Sequence, residues 1–360
     1  MSTMKTVEDF MGPWQDKVNW EVVGKLTDKY GLGAYCIPFG GEINGTVTDA
    51  VNTIYATDEV DVQPRWTQIP EKIIVSTTIT GAFYNKKSNP NHPVTMDEIY
   101  AAARDVCLAG APVLHVHVRD DNGFNVLDPK RLKWLITKIK DEFPEVCIDC
   151  CLVPMNPSAW ECFEEMMDSG LIESSPVNTC AAYCGDMLLV KYPHVMIQKA
   201  AEMRRNGIRT RLAVYTDGDI DNADRYLIKT GVVPTSKDGL PTYWGVLPAL
   251  PGGAPMNNPN ALVESFMHMR NRILEIDPGA IIQVCASGRA STYLATLAIL
   301  MGHHLRVGME DTVWRWPHKD DKITSNGDCF RQYKELCGLL GREVMTPKEY
   351  REFLQLRKQQ

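Results

Sequence analysis

From residue 72 onward, eight short apolar segments of β-like composition alternate with seven stretches of helical period. The candidate strands are 72–80, 112–118, 146–152, 175–181, 209–216, 243–247, 280–286 and 304–308. Helical patterns cover 95–109, 129–143, 157–169, 192–206, 221–230, 260–276 and 290–301. Near-continuous apolar strands are those buried on both faces, and parallel strands need a crossover between them, most often a helix. Eight such units predict a (β/α)8 TIM barrel. A doubly wound sheet is the alternative, but no G-x-G-x-x-G follows the first strand. Thr95 with Glu98 forms a capping box, and Asp128-Pro129 and Asn156-Pro157 read as helix starts.

A chain of 360 residues, 44% of them apolar, can build such a barrel with residues to spare. Residues 1–70 stay outside the rhythm: they carry Trp14, Trp20 and Trp66, a glycine-rich stretch from Gly31 to Gly45, and an acidic piece at 57–61. They are expected to form an N-terminal extension packed on the barrel or on a neighbouring subunit, with the catalytic domain at 71–360. The net charge of −7 and the lack of a basic stripe argue against nucleic acid as a partner. No run of ~18 apolar residues occurs, so no membrane span is expected. Met1 to Lys5 lead into charged residues without a signal-peptide core, which predicts a cytoplasmic protein. The eleven cysteines are read as buried free thiols. Cys147 and Cys150 fall on opposite faces of one strand, and Cys180 and Cys184 have no second pair at zinc-ribbon spacing.

Chemistry in such a barrel gathers at the C-terminal ends of its strands. There, Leu114-His115-Val116-His117-Val118-Arg119-Asp120 places two histidines at i and i+2, on one face of the second strand. Neutral imidazole is a common ligand of zinc and similar ions. The last strand ends in His304-Leu305-Arg306-Val307-Gly308-Met309-Glu310-Asp311. Barrel closure sets that strand beside the first, with the second just beyond, so Glu310 can reach an ion held by His115 and His117. Two histidines and a carboxylate with open positions form a catalytic zinc pattern. Arg306 and Asp311 flank it as a charge-assisted pair.

In this order the motifs resemble those of the β-keto acid cleavage enzymes, a family often associated with 3-keto-5-aminohexanoate cleavage. The resemblance spans roughly residues 72 to 357. It runs from Thr80-Gly81-Ala82 and the stretch Asn89 to Thr95, through His115 to Asp120, Pro251-Gly252-Gly253 and Gly288-Arg289. It continues in Arg306 to Asp311 and closes at Leu340 to Glu349. It implies a zinc-dependent (β/α)8 barrel in which a β-keto acid and acetyl-CoA exchange to acetoacetate and a new acyl-CoA. It implies zinc ligands at His115, His117 and Glu310 and an activating pair at Arg306 and Asp311. Gly252, Gly253, Gly288 and Arg289 are assigned to the acetyl-CoA side, although such glycines also serve as plain turn residues. A homo-oligomer, commonly a tetramer in this family, is expected.

Three departures stand out. Cys151-Leu152-Val153-Pro154 replaces the Ser-Thr-Gly-Gly type turn that binds the substrate carboxylate, leaving Cys151 a weak donor and Asn178 a candidate donor. Thr312 stands where asparagine is usual. Phe83 follows the first strand where amino-keto acid enzymes carry an acid, and the fifth strand, Arg211 to Tyr215, is free of acids as well. An ammonium would lack a partner there, so 3-keto-5-aminohexanoate is not the expected substrate. An uncharged or anionic side chain is expected, with Phe83, Cys151, Asn178, Arg211 and Tyr215 around it and Arg211 as a possible anion partner. Two other readings remain open: a metal-dependent C–C lyase or aldolase without CoA, and a metal-binding barrel without catalysis.

Overall fold

The computed structural model describes residues 17–18, 20–21, 65–184, 187–248 and 258–356, without the side chains of 182–184 and 187. The chain divides into two units, Met1–Gln68 and Ile69–Gln360. The first unit, and with it the expected extension, lies almost wholly outside the described residues.

The second unit is a closed barrel of eight parallel strands in sequential order. They are β1 (Val75–Thr78), β2 (Val113–Val116), β3 (Cys147–Cys150), β4 (Ser174–Asn178), β5 (Arg209–Val214), β6 (Tyr243–Val246), β7 (Ile281–Cys285) and β8 (His304–Gly308). Each is followed by a helix: α1 (Met96–Leu108), α2 (Pro129–Glu142), α3 (Pro157–Asp168), α4 (Pro193–Arg205), α5 (Asp217–Ala223), α6 (Pro259–Ile276), α7 (Ser291–Leu300) and α8 (Asn326–Leu339). The expected (β/α)8 architecture is therefore observed. Proline opens α2, α3, α4 and α6, where its missing N–H costs no helical bond. The Thr95–Glu98 capping box sits at the start of α1.

The elements differ from expectation in a few places. The segment 72–80 splits: Lys72–Ile73 pairs with Glu343–Val344 outside the barrel, and only Val75–Thr78 enters it. α5 starts four residues before the expected 221, because Asp219 accepts from the Tyr215 and Thr216 N–H groups (2.8 and 3.0 Å) and caps the helix early. It runs on into a π-helical turn, Asp224–Ile228. α8 and a final helix α9 (Pro347–Phe353) were not expected, nor were two hairpins. One hairpin is Val118–Arg119 with Asn125–Val126, the other Ala181–Cys184 with Met187–Val190.

α9 closes the N-terminal end of the barrel. Met345, Tyr350 and Leu354 pack there against Ile74, Val113, Tyr243 and Ile281 at the strand starts. The opposite end stays open. No helix among the described residues is long and apolar enough to cross a membrane. The described cysteines with resolved side chains are free thiols.

Candidate active site

Strand register sets the geometry at the open end. Thr78 of β1 aligns with Gly308 on one side and His115 on the other, and His115 aligns with Asp149 of β3. Glu310, two residues past Gly308, must therefore cross the end of β1 to reach the histidines. Gly81 makes that crossing possible. A Cβ on Gly81 would lie 2.0 Å from Glu310 Cγ, and its φ of +57° is left-handed.

Both histidines are oriented from behind. His115 Nδ1 lies 2.6 Å from Asp149 Oδ2, and His117 Nδ1 lies 2.7 Å from Asn125 Oδ1. Each Nδ1 therefore carries the hydrogen, and each Nε2 keeps its lone pair. Both Nε2 atoms are buried without a hydrogen bond, and so is Glu310 Oε2. Glu310 Oε1 stands 3.5 Å from His115 Nε2 and 3.4 Å from His117 Nε2. Two ligands on one tetrahedral zinc ion are separated by about 3.3 Å, given bonds of about 2.05 Å. The donor set and its spacing fit a divalent ion.

Three buried carboxylates, Asp149, Glu310 and Asp311, face the buried guanidiniums Arg211 and Arg306, and buried Arg119 also acts on Glu310. Burial opposes protonation of His115, but Glu310 and then Asp149 outweigh it and raise its pKa to about 9, a measure of how strongly this pocket draws positive charge. Burial likewise opposes the charge on Asp149, and Arg211 and His115 overcome it, holding that carboxyl well below its usual range.

Arg306 and Asp311 form a two-pronged pair, Nε to Oδ2 at 2.9 Å and Nη2 to Oδ1 at 2.8 Å. The Thr78 hydroxyl donates to Asp311 Oδ2 at 3.2 Å, and Arg306 Nη2 also donates to Glu310 Oε1. Burial disfavours the Arg306 cation, yet Asp311 and Glu310 hold its pKa well above the usual value. Arg306 faces the cavity and Asp311 lies behind it.

That cavity, about 340 Å³, is lined by His115, His117, Arg306 and Glu310 together with Phe83, Cys151, Asn178 and Tyr215. Asn178 Nδ2 donates to the Tyr215 hydroxyl at 3.1 Å. Leu127, Val153, Leu188, Leu189 and Leu247 make much of the wall apolar; among the described lining residues Glu310 is the only acid, and Lys191 and Arg306 are cations.

Arg211 is the exception among the expected contacts. It is 1% exposed and does not line the cavity. Its Nη2 lies 2.7 Å from Asp149 Oδ2, and its Nη1 donates to Gln283 Oε1 at 2.8 Å. The expectation that Arg211 meets an anionic substrate is corrected: it sits beneath the histidines and neutralises the carboxylate that orients His115.

Gly252 and Gly253 lie outside the described residues. The Gly288 N–H donates to the Asp311 carbonyl at 2.9 Å, and its own carbonyl accepts from Thr312 Oγ1 at 2.7 Å. Thr312 thus ties the Glu310-Asp311 loop to the turn after β7. Arg289 stacks over Trp314, 3.4 Å from the ring centroid, and pairs with Asp320 at 2.6 Å. Neither Gly288 nor Arg289 lines the cavity. Three positioning residues were not singled out from the sequence, Asn125, Asp149 and Gln283, and Gly81 entered only as part of the Thr80-Gly81-Ala82 motif, without a role. Only Asp149 carried a signal, as an acid inside an otherwise apolar strand.

The sequence profile of the beta-keto acid cleavage enzymes matches residues 72–356. The chain belongs to this family. Among relatives, the 3-keto-5-aminohexanoate cleavage enzyme of Acetoanaerobium sticklandii is 32% identical over 292 residues, covering 80% of this chain and all of the relative. The 3,5-dioxohexanoate:acetyl-CoA acetone transferase of Paraburkholderia graminis is 25% identical over 317 residues, covering 79% of this chain and 96% of the other. Among solved structures, the ternary complex of ObcA with a C4-CoA adduct and oxalate has a TM-score of 0.59 at 15% identity, covering 74% of this chain and 68% of that one. That likeness speaks for the barrel fold of this β-keto acid cleavage enzyme family member.

Proposed function

We propose that the protein is a zinc-dependent enzyme that exchanges acyl groups between a β-keto acid and acetyl-CoA, giving acetoacetate and a new acyl-CoA. The observation that carries this reading is the convergence of two unpaired Nε2 atoms and the Glu310 carboxylate at the mouth of the barrel. When bound, the ion supplies Lewis-acid polarisation of the substrate's keto oxygen. His115, His117 and Glu310 hold it there. The Arg306–Asp311 pair takes the C2 proton of the β-keto acid, with Asp311 supplying the proton affinity that a guanidinium lacks. Asn178 has a second amide hydrogen for the substrate carboxylate. The apolar wall keeps water from the reacting carbons.

Substrate choice follows from the wall. Arg211 is tied to Asp149, and Arg306 to Asp311 and Glu310. Lys191 also lines the cavity, no acid among the described lining residues but Glu310 could meet an ammonium, and most of the lining is apolar. The preferred β-keto acid therefore carries an uncharged, largely apolar tail. The test is a β-keto acid panel with acetyl-CoA and zinc, reading CoA esters by mass spectrometry. Alkyl β-keto acids are expected to give the highest kcat/KM and no turnover without acetyl-CoA. Preference for 3-keto-5-aminohexanoate would overturn the substrate assignment. Turnover without acetyl-CoA would replace the exchange with a lyase reaction.

A further inference from the structure

Cys151 stands out among the cysteines of the barrel. Cys147 and Cys150, its neighbours on β3, are buried in apolar packing, whereas Cys151 lines the cavity. Its N–H bonds the Val116 carbonyl at 3.2 Å, which continues the β2–β3 register and brings it level with His117. One ring nitrogen each of His115 and His117 and the Cys151 sulfur all lie within 4.8 Å of one another. A nitrogen and a sulfur on one tetrahedral zinc ion are about 3.6 Å apart, from bonds of about 2.05 Å to nitrogen and 2.3 Å to sulfur. Shared coordination thus needs the donors to draw together by up to about 1 Å, within reach of side-chain rotation. The independent sign of a ligand is the pair of imidazoles, each with a buried Nε2 that makes no hydrogen bond.

We propose that Cys151 is a metal ligand in this chain, its thiolate joining His115 and His117 on the ion. The proposal rests on the metal site of the function proposed above and specifies its chemistry. A thiolate favours zinc and cobalt over magnesium or manganese, so the ion is a soft one. It also gives a reason for sulfur at a turn where a thiol would serve a carboxylate poorly. Substrate then enters either by expanding the coordination shell or by displacing the sulfur.

The full chain, stripped by a chelator and titrated with Co(II), provides the test. The expected result is one ion per chain and a near-ultraviolet thiolate-to-cobalt charge-transfer band, with C151S binding cobalt but lacking the band. A second measurement needs no variant. Zinc is expected to slow alkylation of Cys151 by iodoacetamide at least about tenfold, followed by peptide mass. Stoichiometric cobalt without the band, together with unchanged alkylation, would overturn the ligand role and leave the histidine–glutamate site intact. Acetylation of Cys151 by acetyl-CoA in the metal-loaded protein would overturn it in favour of a nucleophilic thiol. Failure to bind any ion would overturn both this proposal and the metal reading beneath it.

Discussion

The reach of Glu310 across β1 depends on the absence of one carbon. Gly81 has both a left-handed backbone and a contact distance that no Cβ tolerates. Gly81→Ala is expected to push the carboxylate off the histidines while leaving the barrel folded. The backbone penalty is about 1–2 kcal/mol, and metal affinity should drop at least about tenfold, measured by calorimetric titration alongside the melting temperature. Wild-type affinity in this variant would mean that Glu310 is not needed for the ion. At this scale the sequence was legible where chemistry repeats on a strand face: His115, His117, Arg306, Glu310 and Asp311 could be placed from alternation and barrel closure. Arg211 could not. It also alternates into the barrel interior, but its role depends on Asp149 two strands away, and that pairing follows from register.

At the scale of elements, the strands were legible because burial on both faces leaves unbroken apolar runs. The floor of the barrel was not, because it is made by segments distant in sequence. Glu343–Val344 pairs with Lys72–Ile73 across the whole barrel length of chain, and α9 then covers the strand starts. Its own signal was present in Thr346-Pro347-Lys348-Glu349, a capping box with proline at the first helical position. Leu354, just after α9, is fully buried in this floor. Leu354→Ala is expected to cost about 2–5 kcal/mol, read from the urea midpoint, with the bound metal per chain unchanged. Loss of metal in the folded variant would show that floor and site are coupled through the barrel.

For the barrel as a whole, the eightfold alternation was enough to predict the architecture, since few other folds accept that many parallel units. What alternation leaves out is the protonation state of the buried histidines at its base. His303 and His304 are both buried, and each has a nitrogen lone pair already used: Arg270 Nε donates to His303 Nε2 at 2.9 Å, and the Ile74 N–H donates to His304 Nδ1 at 3.0 Å. Protonation would break these bonds and bury a charge. Burial, with Arg270 and Arg342 nearby for His303 and Arg342 and His303 nearby for His304, lowers both to about 3. Burial and Arg119 lower His92 to about 4. In the unfolded chain each titrates near 6.5. Above that value neither state binds the proton and stability is unaffected. As pH falls below it the unfolded chain takes up protons that the folded chain refuses, so stability declines until the folded values near 3 to 4 are reached. His303→Gln keeps an acceptor for Arg270 and removes one of these protons. Between pH 6 and 4 its stability should fall less steeply than wild type, by about 1.4 kcal/mol per pH unit, measured by urea denaturation across pH. Equal slopes would show that His303 is already protonated in the folded barrel.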